Sequence, residues 1–261
     1  MNYSMMELVW LLLIYSFLGW VVETIVGTVK KKKFVNRGFL NGPICPVYGI
    51  GVGVVVQFLT PVENNLVLLY ISSTILVTVI EGITGFLLEK IFHNKWWDYS
   101  EQPLNIGGYV CVLFSLIWGV FCVLIVKIIH PLIYKVLTMI PLVLGIVVMA
   151  CLAVGLLADL YVTASGILKM NRRLEAMEKI AAELKELSDK VGENIYENVM
   201  EGMEFREEKK ARIEELKAKY EEMAENRTKV GERLVKAFPK MQVGQHKEIF
   251  EELRERIKRS K

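Results

Sequence analysis

Residues 8–29 read LVWLLLIYSFLGWVVETIVGTV, an apolar stretch in which Glu23 is the only charged residue. A helix of about 20 mostly apolar residues crosses the hydrocarbon core of a bilayer, so this stretch predicts a membrane-spanning helix. A carboxylate at that depth costs on the order of a few kcal/mol unless it meets a partner or water. We therefore expect Glu23 to face protein or a hydrated space rather than lipid.

Four more apolar stretches follow. The predicted spans cover residues 8–29, 44–59, 66–88, 108–129 and 140–167. The second is short and rich in glycine, which predicts a tilted, kinked or partly re-entrant segment. Glu81 and Asp159 lie within the third and fifth spans. The predicted fold class is all-α, a five-span transmembrane helical bundle, and three acids inside it indicate an internal polar site.

Composition separates a transmembrane domain, residues 1–167, from a charged helical tail, residues 168–261. Hydrophobic residues make up 53% of the chain and charged residues 23%, and most of the charges follow Lys169. The composition and apolar spacing of the tail predict a cytoplasmic helical hairpin or coiled coil. Breaks are expected at Gly192 and Gly202, and a short last helix over 248–258. Its narrow apolar stripe needs a partner, either the other arm of the hairpin or another chain. Both signs of charge are interleaved, so no nucleic-acid partner is predicted.

Basic residues predict the orientation. Lys30 to Lys33 and Arg37 lie in the first loop, which places that loop in the cytoplasm. The loop over residues 60–65 carries no basic residue and is expected outside. Five crossings then leave the N-terminus outside and the C-terminus in the cytoplasm.

The first and third spans share a pattern that suggests an internal repeat. Glu23 and Glu81 are each followed four residues later by glycine, Gly27 and Gly85. Small and acidic residues at this spacing form one stripe, which must face protein. Two interpretations stay open: the acids are satisfied by structural pairing, or they line a path for a proton, an ion or a substrate.

The candidate path includes residues from the loops as well as the spans. The candidate residues are Glu23, Glu81, Asp159, Arg37, Asn41, Tyr48, Asp98 and Asn105. No cofactor or metal is predicted, because the four cysteines lie in apolar segments without metal-ligand spacing. Enzymatic activity is not predicted either, since a pairing of Cys45 with His93 has no support from their spacing.

Two loop segments have an unusual composition for membrane entry. They read NRGFLNGPICPVYG over residues 36–49 and WWDYS over residues 96–100. Together with Gly19-Trp20, Glu23, Glu81, Thr84-Gly85 and Glu89, they make the first 165 residues or so resemble a family of bacterial membrane proteins, the CmpB-like ABC-transporter permeases or ABC-transporter type IV. The resemblance implies a multi-pass protein of the bacterial plasma membrane that acts as a permease component.

The leading functional hypothesis is therefore a permease-type transporter embedded in the lipid bilayer. The chain has no Gly-x-x-x-x-Gly-Lys-Ser/Thr loop, so an ATP-driven system would need a separate ATPase subunit. The alternative is a non-transporting scaffold or regulator that acts through its tail, which is also a candidate surface for homo- or hetero-oligomers.

Overall fold

The computed structural model describes residues 3–197, 203–244 and 246–259, which form two compact units. The first unit comprises Met1–Ala164 and Arg233–Gln242, and the second comprises Ser165–Glu232 and Val243–Lys261. The fold is nearly all-α. The part of the chain that the structure describes contains four helices long and apolar enough to cross a membrane.

Helices α1 (Met5–Lys31) and α3 (Leu66–Phe92) correspond to the first and third predicted spans, with 27 residues each. At a rise of 1.5 Å per residue each is about 40 Å long. Ser4 and Asn65 cap their N-termini with side-chain oxygens. Both helices end where the next residue, Lys32 or His93, adopts a left-handed conformation, with φ of 51° and 56°.

Each long helix is followed by an irregular loop and then another helix. The first loop, residues 32–45, leads into α2 (Pro46–Leu59), which a 3₁₀ turn extends over Thr60–Val62. The second loop, residues 93–111, contains the short strands β1 (Asn94–Lys95), β2 (Asn105–Ile106) and β3 (Val110–Cys111). Strands β2 and β3 pair antiparallel. Gly107 and Gly108, with φ of 59° and 71°, make the turn between them.

Helix α2 begins halfway along α1. The Cys45 N–H donates to the Ser16 carbonyl over 2.9 Å. With 14 residues, α2 is about 21 Å long, so it matches only part of α1. The second predicted span is thus this shorter apolar helix, not a helix of spanning length.

The fourth span is one continuous stretch of helix, Val112–Leu137, with a change of winding inside it. It consists of α4 (Val112–Leu124), a π-helical turn (Ile125–Ile129) and α5 (His130–Leu137). The ring of Pro131 cannot pack against the Lys127 carbonyl in α-helical geometry, which accounts for the wider turn. The span begins four residues later than predicted, because residues 105–111 are used by the hairpin.

Helix α1 packs mainly on α2, α3 mainly on α4, and α2 joins the two pairs by packing on α3. Buried Leu11, Val55, Val56 and Leu69 belong to the apolar core between them. His130 is buried beside this core, with Tyr3 hydroxyl at 2.8 Å from Nε2 and Tyr15 hydroxyl at 3.0 Å from Nδ1. Apolar side chains on the outer faces stay exposed, as lipid-facing residues require.

The second unit is built from the later part of α6 (Leu142–Glu197) with α7 (Met203–Glu225), the start of α8 (Lys229–Ala237) and α9 (Lys247–Arg259). Its buried apolar side chains include Leu174, Met177, Leu216, Phe250 and Leu253. Within this unit the predicted stripe therefore finds partners in the same chain. A two-residue strand, β4 (Gln242–Val243), precedes α9.

Ion pairs add to the second unit. The Arg212 guanidinium contacts the Glu183 carboxylate at 2.9 Å, and that of Arg256 contacts the Glu221 carboxylate at 2.5 Å. The predicted break at Gly192 is wrong, because α6 continues through it to Glu197. The surrounding helix formers outweigh the cost of one glycine. The predicted break at Gly202 lies outside the described residues.

Candidate functional site

Glu23, Arg37 and Tyr48 meet on the inner face of α1. The Arg37 Nη1 lies 3.3 Å from the Glu23 Oε2, and the Tyr48 hydroxyl donates to the Glu23 Oε1 over 2.6 Å. Arg37 comes from the first loop and Tyr48 from the first turn of α2. The acid is therefore satisfied by one cation and one hydroxyl, both from segments that follow α1.

Two glycines make this approach possible. A methyl group on Gly19 would overlap the Tyr48 ring, with Tyr48 Cδ2 at 2.8 Å, and one on Gly27 would overlap the Arg37 stem, with Arg37 Cγ at 2.8 Å. The small-residue stripe of α1 thus serves to bring Tyr48 and Arg37 close to Glu23.

Asp159 and Asn41 form a second cluster. The Asp159 Oδ1 accepts from the Asn41 N–H at 3.0 Å and from its Nδ2 at 2.9 Å. The other carboxylate oxygen, Oδ2, accepts from the Gly42 N–H at 2.6 Å. Thr163, one turn along α6, donates to Oδ1 at 3.3 Å. Asp159 therefore anchors the first loop through N–H groups that the irregular backbone leaves unpaired.

Arg233 completes this cluster, although it belongs to the charged tail. Its Nη1 donates to the Gly38 carbonyl at 2.8 Å and its Nη2 to the Phe39 carbonyl at 2.9 Å. Its Nε donates to the Asn41 Oδ1 at 3.0 Å. Burial lowers the pKa of the guanidinium, while the Asp159 carboxylate acts in the opposite direction. The group nevertheless stays charged, because the ordinary pKa of arginine is above 12.

Glu81 stands in a different environment. Among the described residues its only hydrogen-bond partner is the Tyr99 hydroxyl, at 3.4 Å, and no arginine or lysine forms an ion pair with it. Tyr99 stacks on Phe114 with ring centroids 4.9 Å apart. Burial raises the pKa of Tyr99, and the Glu81 carboxylate and, more weakly, that of Glu23 raise it further. Tyr99 therefore lies in the field of both acids.

The second loop packs on α3 as the first packs on α1. Gly85 lies beneath the rings of Trp97 and Tyr109, which a methyl group there would approach to 3.1 and 3.0 Å. The Trp97 Nε1 donates to the Tyr109 carbonyl at 2.8 Å, which ties the two ends of the loop together. A glycine four residues after the acid thus has the same role in both copies of the predicted repeat.

Asp98 and Asn105 organise the second loop and do not touch the three acids. Asp98 accepts from the Ser100 N–H and hydroxyl at 3.1 and 2.6 Å and lies 3.2 Å from the Lys95 ammonium. Burial raises the pKa of Asp98, but these donors and the ammonium outweigh burial and hold it below the ordinary value. Asn105 donates to the Gln102 carbonyl at 2.8 Å and accepts from the Gly108 N–H at 3.1 Å.

The predicted site residues thus fall into separate groups. Glu23, Arg37 and Tyr48 are brought together, and so are Asp159 and Asn41. Glu81, Asp98 and Asn105 have other partners. Sequence reasoning missed Tyr99 and Arg233. Tyr99 could have been predicted, because it lies in the WWDYS segment and carries an aromatic hydroxyl near an intramembrane acid. Arg233 could not have been predicted, because its acceptors are mainly backbone carbonyls.

Groups of three side chains that could hold a metal ion do not occur in the described ranges. Cys45 is buried at the start of α2 and His93 is exposed at the end of α3. No hydrogen bond between them is found in the described part of the chain.

Neither a curated protein nor a solved structure matches this chain. One family does, under the description "Putative ABC-transporter type IV", and the match covers residues 10–164. That range contains most of α1, all of α3, both loops, α2 and α4, and all three acids, and it is more than half of the chain. The fold and the family together give a multi-pass, transporter-type membrane protein. The chain belongs to the ABC-transporter type IV family.

Proposed function

We propose that this protein is a permease component in which Glu81 and Glu23 line a path for a proton or a cation. Tyr99 and Tyr48 contact these acids, and Asp159, Asn41 and Arg37 shape the first loop beside them. Asp98 and Asn105 hold the second loop in its conformation. The chain itself is proposed to have no enzymatic activity, cofactor or nucleic-acid partner.

The environment of Glu81 is the observation that carries this proposal. At 1.5 Å per residue the acid lies about 16 Å from the end of α3, at a depth where a charge needs compensation. The one hydrogen bond that it forms among the described residues, at 3.4 Å, is too long to be strong. A carboxyl group so placed either holds a proton or attracts a cation, which is the property that a transport path uses.

We also propose five crossings, of which the second is made by the first loop together with α2. Since α2 starts beside Ser16, the loop covers the other half of the membrane depth. Irregular backbone is tolerated there only where protein buries it or a wet cavity adjoins it. With Lys30 to Lys33 in the cytoplasm of a bacterial cell, the N-terminus lies outside the plasma membrane and the tail inside.

An ATP-driven version of this function needs a second protein. The chain carries no phosphate-binding loop, so hydrolysis would come from a separate ATPase subunit at the cytoplasmic loops or the tail. The tail is also the proposed surface for homo- or hetero-oligomers. Co-purification from native membranes tests for both kinds of partner.

Carbodiimide labelling tests the path. Dicyclohexylcarbodiimide modifies protonated carboxyl groups in apolar surroundings, so we expect peptide mass spectrometry to find Glu81 labelled and the ion-paired Glu23 labelled at least about tenfold less. In proteoliposomes containing a pH-sensitive dye, Glu81→Gln should abolish proton uptake driven by a potassium diffusion potential. Glu186→Gln, which removes an exposed acid from the tail, is the charge-matched control. An unlabelled Glu81 together with unchanged uptake would contradict the proposal.

A scaffold or regulator is the second candidate, and the full pairing of Glu23 and Asp159 favours it. Both acids hold the first loop in place through the contacts described above, which is a structural role. If the protein is a scaffold or regulator, a stable partner should remain bound to the tail of the Glu81→Gln variant. No flux should then be measurable for this variant or for the unsubstituted protein.

A further inference from the structure

The segment Arg233–Gln242, called here the return segment, belongs to the first unit although it lies within the charged tail. Its ends contact different loops. Arg233 binds the first loop, and the Gln242 Nε2 donates to the Asp98 Oδ2 of the second loop at 2.9 Å. Between them, the Lys240 ammonium lies 3.5 Å from the Glu101 carboxylate, also in the second loop. Ten residues of the tail thus connect both loops.

Aromatic packing joins the same three parts. Phe238 of the return segment meets the Trp96 ring edge-on, with centroids 5.3 Å apart. Trp96 in turn meets Phe39 of the first loop, with centroids 5.0 Å apart. Trp96 is 3% exposed and Met241 is fully buried, so the return segment is packed against the loops rather than lying loosely on them.

Arg233 makes the most specific polar contacts of the return segment. Each of its three nitrogens donates to a different oxygen, and none of these oxygens carries a formal charge. The Asp159 carboxylate, whose charge acts on Arg233, accepts from the Nδ2 of the same Asn41 side chain. A cation thus occupies a cradle of oxygens in front of a carboxylate, and here that cation is supplied by the chain itself.

We propose that the return segment is a latch that closes the cytoplasmic mouth of the path, with Arg233 as a tethered cation in the oxygen cradle. This inference rests on the proposed function, because it assigns the regulation of the same site. When the segment leaves, the cradle and the acids behind it become open to the cytoplasm. A partner that binds the tail and favours the released state would open the mouth by shifting this equilibrium.

Cys45 reports the state of the latch. It is buried, with 5% of its surface exposed, and it ends the first loop, which Arg233 holds through Gly38, Phe39 and Asn41. In inside-out vesicles, we expect a membrane-impermeant maleimide to label Cys45 at least about tenfold faster in Arg233→Gln than in the unsubstituted protein. Cys122 is buried in the bundle core and should stay unlabelled, which shows that the fold is intact.

A second variant and a control complete the experiment. Phe238→Ala removes the aromatic contact between Trp96 and the middle of the return segment, and it should also increase Cys45 labelling. Arg212→Gln removes an arginine from an exposed ion pair in the second unit and should have no effect. If labelling of Cys122 shows that Arg233→Gln does not fold, Phe238→Ala decides the question.

The two proposals fail in different ways. Unchanged Cys45 labelling in the folded variants overturns the latch, whatever the flux measurements show. Faster Cys45 labelling supports the latch even if Glu81 proves unreactive, and that combination would overturn the proton or cation path alone.

Discussion

Removal of Arg37 tests whether the ion pair with Glu23 holds the first loop against α1. At the observed separation of 3.3 Å, two unit charges attract by about 5 kcal/mol at an effective dielectric constant of 20. Both side chains are 27% exposed, so the desolvation cost is partial. Since desolvation offsets much of the attraction, we expect a net coupling of about 2 kcal/mol.

The two single variants should differ. Arg37→Gln leaves the Glu23 carboxylate at membrane depth with only Tyr48 as a donor, so we expect a loss of about 3 kcal/mol in the free energy of unfolding. Glu23→Gln leaves Arg37, whose long side chain can turn toward the membrane surface, so the loss should be nearer to about 1 kcal/mol.

A double-mutant cycle measures the coupling directly. Unfolding of the four proteins by sodium dodecyl sulfate in mixed micelles, followed by tryptophan fluorescence, supplies the free energies. The pair of Arg212 and Glu183, whose side chains are 46% and 44% exposed, gives the matched control and should show a coupling below about 1 kcal/mol. Equal coupling in both cycles, or additive effects of Arg37→Gln and Glu23→Gln, would refute this reasoning.

Three further predictions concern separate features. Gly19→Ala should destabilise the protein by about 1–3 kcal/mol because its methyl group overlaps the Tyr48 ring, whereas Gly53→Ala, which meets open space, should be neutral or slightly stabilising in the same unfolding assay. Asp159→Asn should speed hydrogen exchange of the two loop amides that it binds at least about tenfold, since the new side chain keeps one acceptor oxygen and its NH₂ group cannot accept a hydrogen bond; unchanged exchange would contradict this. The lowered pKa of Asp98 means that its contribution to stability is present above the unfolded value of about 3.9 and is lost as the pH falls through the folded value. Asp98→Asn should remove this acid-dependent loss from a thermal unfolding series, and a persisting loss would assign it to another group.

The long helices were predictable because membrane depth imposes a simple rule on composition. Residues 8–29 and 66–88 had to be helical and had to turn their acids toward protein. The helix ends were less predictable. At Lys32 and His93 the chain leaves the helix by adopting left-handed backbone angles, which nothing in these two side chains demands.

The partners of the acids were only partly predictable. Arg37 and Tyr48 lie within 25 residues of Glu23, so both could be predicted from the sequence as residues near this acid. The bond from Asn41 to Asp159 crosses 118 residues, and those from Arg233 to the first loop cross up to 195. Such contacts depend on how the loops fold back on the helices. The charged tail also contains several other arginines, and nothing in the sequence distinguishes Arg233 from them.

The two loop units differ in one chemical respect, and that difference decides which acid is the better candidate for transport. In both, an acid on a long helix is approached by a tyrosine hydroxyl from the following segment, at 2.6 Å for Glu23 and 3.4 Å for Glu81. Only Glu23 also has an arginine among its described partners. A paired charge costs energy to separate, while an unpaired one can exchange its proton or cation without breaking an ion pair. Of the two acids, Glu23 is thus the one suited to holding a loop, and Glu81 is the better candidate for binding a transported proton or cation.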